Sequence, residues 1–590
     1  MKALLHLNKY FLRYKWRLLI GFLFVTVSVI FRVFPAQLVR ESFDVVEIAI
    51  KEYQSGEISN LDLLRTQLFW FGLAIIGSAL LSGVFMFFMR QTVIVVSRYI
   101  EYDLKNEIFE HYQKLSLSFY RKNSTGDLMN RISEDVSRVR MYVGPAIMYA
   151  VNVFFTLVIV IAIMISINAR LTFFVLFPLP FLSFAIYKIS QTINKRSEKV
   201  QRTLSEISTF VQEAFSGIRV LKAHTKESHF QSEFKNLSNN YKDVNEGLFK
   251  VNALFFPMML LLIGLSTLIT IYVGGIEAIS GDISAGNIAE FILYVNMLTW
   301  PVASIGWVTS IVQRAEASQE RINQFLVEVP EISSPKNAIQ SFSNSIEFKS
   351  VGFTYPETGI VALKNVNFQL PEGKTLAIVG RTGSGKSTLA NLLLRFYDIN
   401  TGDILIGGKS IQSLDLSILR KKIGYVPQDA FLFSESLSHN IGFTMNEPNE
   451  SQVEEFAKDA EVHSNIVEFQ EGYKTKIGER GITLSGGQKQ RVSIARALAH
   501  NPQILLFDDC LSAVDTETEE SILQNLKRLS AQRTTVLISH RVSTVKHADL
   551  ILVLNKGEVV ETGTHNDLLA SEGEYYKLYQ KQIRESGIEI

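Results

Sequence analysis

Gly380-Arg381-Thr382-Gly383-Ser384-Gly385-Lys386-Ser387, followed by Thr388, fits the pattern G-x-x-x-x-G-K-[ST]. Such a loop turns its backbone N–H groups around the phosphates of a nucleotide. Lys386 then reaches the β- and γ-phosphates, and the Ser387 hydroxyl is a Mg²⁺ ligand. The flanks give the context the motif requires: Thr375–Val379 reads as an apolar strand and Thr388–Phe396 as a helix. Farther along comes Leu484-Ser485-Gly486-Gly487-Gln488. A Ser-Gly-Gly turn that opens a helix is a second anion site. Two phosphate grips in one domain imply a nucleotide clamped between two such domains.

From Ser345 onward short strands alternate with helices, the α/β pattern. The chain before it is of another kind. Of 590 residues, 47% are hydrophobic and 40 are Phe, and the apolar ones concentrate before residue 310. The mean hydropathy, +0.15, is high for a soluble protein. Six apolar runs, near 18–38, 66–89, 146–167, 171–188, 254–276 and 285–308, match the ~20 residues that a helix needs to cross a bilayer. The third and fourth nearly touch across Asn168-Ala169-Arg170. An even number puts both ends on one side. Lys2, Lys9, Arg13, Lys15 and Arg17 make that side cytoplasmic, and the acidic stretch 41–65 reads as an outer loop. Residues 1–16 read as an amphipathic helix on the membrane surface. No cleavable signal pattern opens the chain.

The net charge of +1 argues against a dedicated nucleic-acid binder. The single cysteine, Cys510, excludes an intramolecular disulfide and a four-cysteine metal site, and reads as a packed core residue.

Between the runs, Val84–Thr125 holds no Gly or Pro and predicts ~63 Å of helix. Phe181–Ser216 predicts ~54 Å. Both exceed a bilayer, so the second and fourth spans should run on into the cytoplasm and turn near Phe119–Gly126 and Gly217. A linker at 327–344, with Pro330 and Pro335, separates a membrane domain, 1–326, from a nucleotide-binding domain, 345–585.

With these motifs in order the chain resembles an ATP-binding cassette (ABC) exporter half-transporter, of the multidrug or lipid exporter type. Tyr355 sits where the family's adenine-stacking aromatic belongs, and 380–388 is its phosphate loop. Gln428, in Tyr425-Val426-Pro427-Gln428-Asp429, matches the Q-loop. Glu479-Arg480-Gly481 precedes the signature 484–488. Ile504–Asp508 matches the Walker B strand, Ser512–Asp515 the D-loop, and His540 the switch histidine. The resemblance implies ATP and Mg²⁺, with Ser387, Gln428 and Asp508 at the metal. It implies that Gln428 and His540 act on the γ-phosphate and the attacking water, and that Ser485, Gly486, Gly487 and Gln488 close over a partner's ATP. It implies coupling at the tips Ser124–Asp127 and Gln212–Gly217.

Asp509 departs from the pattern, since most members carry Glu there to orient the attacking water. Asp is one methylene shorter, and ~1 Å of misplacement can cost ~10²-fold in rate. The same Asp occurs in subunits of heterodimeric exporters that contribute a slow ATP site. Two readings follow: pairing with a different subunit that carries Glu, or a slow homodimer. Arg32 falls inside the first span, where a charge should face protein or water. It reads either as a contact for an anionic or amphipathic substrate or as snorkelling to the outer headgroups or making an internal hydrogen bond. The expected function is ATP-driven export of a lipophilic or amphipathic compound from a plasma membrane of bacterial type. A lipid flippase is the alternative, and a non-pumping regulator or ATP-gated channel is the reading from another class.

Overall fold

Apolar sequence of sufficient length folds as helix in a bilayer, because no water is there to satisfy backbone polar groups. In the computed structural model the described residues are 2–55, 61–445, 447–478, 484–511, 516–530 and 533–586. Among them six helices are long and apolar enough to cross a membrane: Lys15–Gln54, Asp62–Lys114, Thr125–Ile167, Ala169–Ser216, Glu227–Ile279 and Ala285–Val327. The chain divides into two units. One holds Met1–Tyr112 and Gly126–Val327; the other holds Gln113–Thr125 and Glu328–Ile590.

In the first unit the helices approach closely where side chains are small. Ser28 and Ser82 exchange hydroxyl-to-carbonyl bonds of 3.0 Å, tying the first helix to the second. A Cβ on Gly21 would stand 2.6 Å from Val93 Cγ2. Small residues and hydroxyls are the usual means of packing helices in lipid, where burial alone gives no preference for a neighbouring helix. Arg321 donates through Nε to Asp135 at 3.0 Å, joining the sixth helix to the third.

Several boundaries differ from the sequence reading. The acidic stretch after residue 40 is not a loop up to 54: the first helix continues to Gln54, with Glu47 and Lys51 paired at 2.7 Å one turn apart. Glu57 lies outside the described residues. The second helix stops at Lys114 and a separate helix, Leu117–Lys122, forms the turn. Ser116 and Asn123 on either side are extended, and the Asn123 side chain donates to the Phe119 carbonyl at 2.9 Å. Asn competes for backbone partners in this way and ends the short helix at Asn123, so lack of Gly and Pro does not guarantee helix. The third span carries two π-helical segments, Arg131–Asp135 and Tyr142–Ala146. The second contains Pro145, whose missing N–H removes a helical bond. The Phe181–Ser216 reading matches the unbroken helix Pro178–Ser216. The blurred junction at Asn168 is an N-cap: its Oδ1 accepts from the Leu171 N–H at 2.8 Å.

At the N-terminus, the turn Ala3–Leu7 and helix Asn8–Arg13 bury Leu4, Leu7 and Tyr10 and expose Leu5 and Leu12. Lys9 pairs with Glu107 at 2.5 Å and Arg13 with Asp103 at 2.8 Å. The amphipathic segment is therefore pinned to the far half of the second helix.

The second unit holds two sheets. A four-stranded antiparallel sheet runs in the order Val361–Leu370, Ile346–Thr354, Thr401–Ile406, Lys409–Ser410. A six-stranded sheet has the order Glu558–Gly563, Leu550–Asn555, Thr375–Gly380, Thr534–Ile538, Ile504–Asp508, Ile423–Val426. All but its Glu558–Gly563 edge pair in parallel. Ile378 lies opposite Ile538, and Ile538 opposite Asp508. The three strands thus end within two residues of one another, and the loops after Gly380, Ile538 and Asp508 leave the same edge. Open α/β sheets place their ligands at that edge.

Candidate nucleotide site

The phosphate loop follows the buried strand Thr375–Gly380 and opens the helix Lys386–Leu393. Gly385 has φ +103°, and a Cβ there would lie 2.5 Å from the Ala362 carbonyl oxygen. A Cβ on Gly380 would lie 2.2 Å from the Leu554 carbonyl oxygen. Only glycine fits either position. Arg381, Thr382 and Gly383 are exposed along the loop, while Ser384 is buried and its Oγ has no hydrogen-bond partner. Lys386 Nζ donates to the carbonyls of Gly380 at 2.8 Å and Arg381 at 3.0 Å, bridging the loop. Burial holds its pKa below the ordinary lysine value, against the pull of the Asp509 and Asp508 charges.

Ser387 Oγ donates to Asp508 Oδ1 at 2.9 Å. Burial raises the Asp508 pKa, the Ser387 bond lowers it, the Asp509 charge raises it and the Lys386 charge lowers it. A buried carboxylate beside a hydroxyl, both hard oxygen donors, is a set that fits Mg²⁺. Asp509 takes φ +47°, in the left-handed region that few residues other than Gly, Asn and Asp enter readily. Its N–H donates to the Ile538 carbonyl at 2.8 Å, and its carboxylate accepts from His540 Nδ1 at 2.8 Å.

His540 is itself held by residues without a sequence signal. Gln582 Nε2 donates to the His540 carbonyl at 2.5 Å, and Gln582 Oε1 accepts from the Val542 N–H at 2.7 Å. Buried Glu519 accepts from Arg541 at 2.7 Å and from Thr544 at 2.5 Å. These partners lie 22 to 42 residues from the segment they hold, beyond the reach of any local pattern.

Tyr355 is half-buried. Its hydroxyl lies 3.1 Å from Thr388 Oγ1 and accepts from Asn391 Nδ2 at 3.4 Å. The base-platform candidate is thereby tied to the helix that the phosphate loop opens. Gln428 follows the strand Ile423–Val426 with its side chain exposed, and its carbonyl accepts from Gln490 at 3.5 Å. Ser485 caps the helix Gly486–Ala499: its Oγ accepts from the Gln488 N–H at 3.2 Å, while Gln488 Oε1 accepts from the Ser485 N–H at 2.9 Å. The Gln488 side chain is thus engaged in shaping the Gly486-Gly487 turn. Glu479-Arg480-Gly481 and Ser512–Asp515 lie outside the described residues. Cys510 is buried beside this site, and burial raises its thiol pKa.

The chain matches the family model "ABC transporter transmembrane region" over residues 18–302 and the model "ABC transporter" over residues 363–512. It is 36% identical to the "ATP-dependent lipid A-core flippase" of Syntrophus aciditrophicus over 90% of this chain and 88% of the relative. The chain belongs to the ABC exporters. It is also 34% identical to the "Probable multidrug resistance ABC transporter ATP-binding/permease protein YheI" of Bacillus subtilis, over 97% of this chain and 96% of that one. A solved structure described as "Structure of a bacterial Atm1-family ABC exporter with ATP bound" superposes with a TM-score of 0.77 at 27% identity, covering 98% of both chains. As an ABC exporter half-transporter, the chain fuses a membrane domain of six spanning helices to an ATPase domain that drives transport.

Proposed function

We propose that this ABC exporter moves a lipophilic or amphipathic compound outward across a plasma membrane of bacterial type, working as one half of a dimer. Residues 1–326 serve as the membrane domain, 327–344 as linker and 345–585 as the ATPase domain. The observation that carries the pump reading is the convergence of Lys386, Ser387, Asp508, Asp509 and His540 at one sheet edge. A regulator or ATP-gated channel without turnover has no need of that set.

In this reading Lys386 exchanges its loop carbonyls for the β- and γ-phosphates of ATP. Ser384 Oγ, buried without a partner, gains an acceptor there. Ser387, Asp508 and Gln428 would hold Mg²⁺, whose charge would screen that of the phosphates. Tyr355 stacks on the adenine. Asp509 orients the attacking water, and His540 steadies charge on the γ-phosphate. Ser485, Gly486, Gly487 and Gln488 close on the partner's ATP. Closure of the two ATPase domains shifts the membrane helices because ATP binds the closed state better.

The partner is a different subunit carrying Glu at the position of Asp509. What supports this is the short Asp509 side chain, which is committed to His540 at 2.8 Å. A slow homodimer is the second reading, supported by the intact phosphate loop and signature. Multidrug-type substrates are preferred and a lipid is the alternative, in keeping with the printed names of the two relatives. Arg32 supports a substrate with an anionic or hydrogen-bond-accepting group. Its Nε and Nη2 are buried in the first span without a hydrogen-bond partner, a costly arrangement in lipid. ATPase stimulation measured across a panel of lipids and lipophilic drugs tests the substrate class. Stimulation by neither group contradicts it.

A further inference from the structure

Tyr355 meets a residue from far upstream in the sequence. Arg121 lies on the helix Leu117–Lys122, within the segment Gln113–Thr125 that belongs to the C-terminal unit. Its guanidinium carbon is 5.4 Å from the Tyr355 ring centroid and 5.6 Å from that of Tyr397. The two rings meet edge-on, 5.4 Å apart at 88°. The guanidinium therefore stands within cation–π range of both at once.

Every other part of this corner is already fixed. The Tyr355 hydroxyl is tied to Thr388 and Asn391. Tyr397 is buried and donates to Glu357 Oε1 at 3.2 Å. Phe353 stands edge-on to Tyr355 at 4.9 Å. The helix that carries Arg121 is anchored too: Leu117 packs against the core of the antiparallel sheet, Ser116 donates to Glu331 at 3.4 Å and Lys122 pairs with it at 3.5 Å. The Tyr355 ring, held at its hydroxyl and along its edges, gains a cation at its face from a rigid support. A planar guanidinium can address two rings, which a lysine ammonium does less well.

We propose that Arg121 is a positioning residue for base recognition: it sets the Tyr355 ring as the adenine platform, so that seating the base and seating the hairpin tip are linked. The proposal rests on the reading of Tyr355 as the base platform. Such linkage is reciprocal, so whatever the tip contributes to adenine affinity, adenine returns to the tip.

The test uses the purified full-length protein and two probes, MgATP and magnesium tripolyphosphate, which keeps the phosphate contacts and lacks the base. Arg121→Gln should weaken MgATP binding by roughly 2- to 5-fold, the range of an exposed cation–π contact, and leave tripolyphosphate binding unchanged. Arg121→Lys should restore part of the loss. Tyr355→Leu should weaken MgATP and erase the effect of Arg121→Gln, so that the double variant binds like Tyr355→Leu alone. Equal losses for the two probes, or losses that add in the double variant, overturn the role of Arg121 and leave the platform reading standing. MgATP binding unchanged in Tyr355→Leu overturns both.

Discussion

Leu117–Lys122 and Ile218–Ala223 are both six-residue helices, each at the turn of a long hairpin. The first belongs to the C-terminal unit, and its Leu117 packs on the core there. The second exposes Val220, and just before it Phe215 is 71% exposed. An aromatic ring at the end of a helix outside the bilayer gains ~1.5–3 kcal/mol when covered. The difference teaches how one chain can be half of a machine: one tip is seated on the chain's own ATPase domain, and the other is left uncovered, open in the proposed dimer to the partner's.

The largest effect should come from the site on which both tips depend. Lys386→Ala removes the ammonium that meets the phosphates and should lower ATP turnover by ~10²–10³-fold or more, on the scale of losing a main electrostatic contact. Near-normal steady-state turnover would remove the premise that either tip answers to ATP.

Asp509 sharpens the comparison by asking whose ATPase domain the second tip meets. With a different subunit as partner, Asp509→Asn should change turnover of the pair less than about 2-fold, because the partner's site carries it. In a homodimer it should cost ~10²-fold. Robust ATPase of this chain alone that collapses in Asp509→Asn contradicts the heterodimer. Asp509→Glu should raise turnover at this site, since the carboxylate regains its reach.

Phe215→Asp places a charge where an apolar contact is expected. Substrate-stimulated ATPase should fall several-fold while MgATP affinity stays within about 2-fold. Equal loss of both would mean the second tip is structural rather than coupling. The smallest effect separates the tips within one chain. Leu117→Ala removes a partly buried side chain and should lower the thermal midpoint of the isolated chain by a few degrees, about 1–2 kcal/mol. Phe215→Asp should leave that midpoint alone. The reverse pattern breaks the comparison.

How much of this was legible depends on where the chemistry is written. Phosphate binding needs contiguous backbone N–H groups and a lysine at fixed spacing, so Gly380–Ser387 announces itself. The sheet edge that brings Asp508, Asp509 and His540 together follows from strands ending in step, which an apolar run followed by Asp or Ser-His makes readable. Glu519, Gln582 and Arg121 were missed because their partners are distant in sequence and their own neighbourhoods are ordinary. The break at Ser116 was missed because the cue sought was Gly or Pro, whereas Ser116 turns extended with neither beside it; the stop at Asn123 was missed likewise, where the Asn side chain bonds back to the Phe119 carbonyl. The helix through Gln54 was missed because charges there looked solvated. Glu41, Lys51 and Glu52 are exposed, on the surface of a helix that carries on regardless.

The most direct test of ATP-driven export is uptake into inverted membrane vesicles that hold this chain with its partner subunit, probed with a lipophilic dye and a labelled lipid. The account predicts accumulation of at least one probe that requires MgATP and disappears in Lys386→Ala. MgATP hydrolysis that proceeds at the same rate with neither probe accumulating would contradict it.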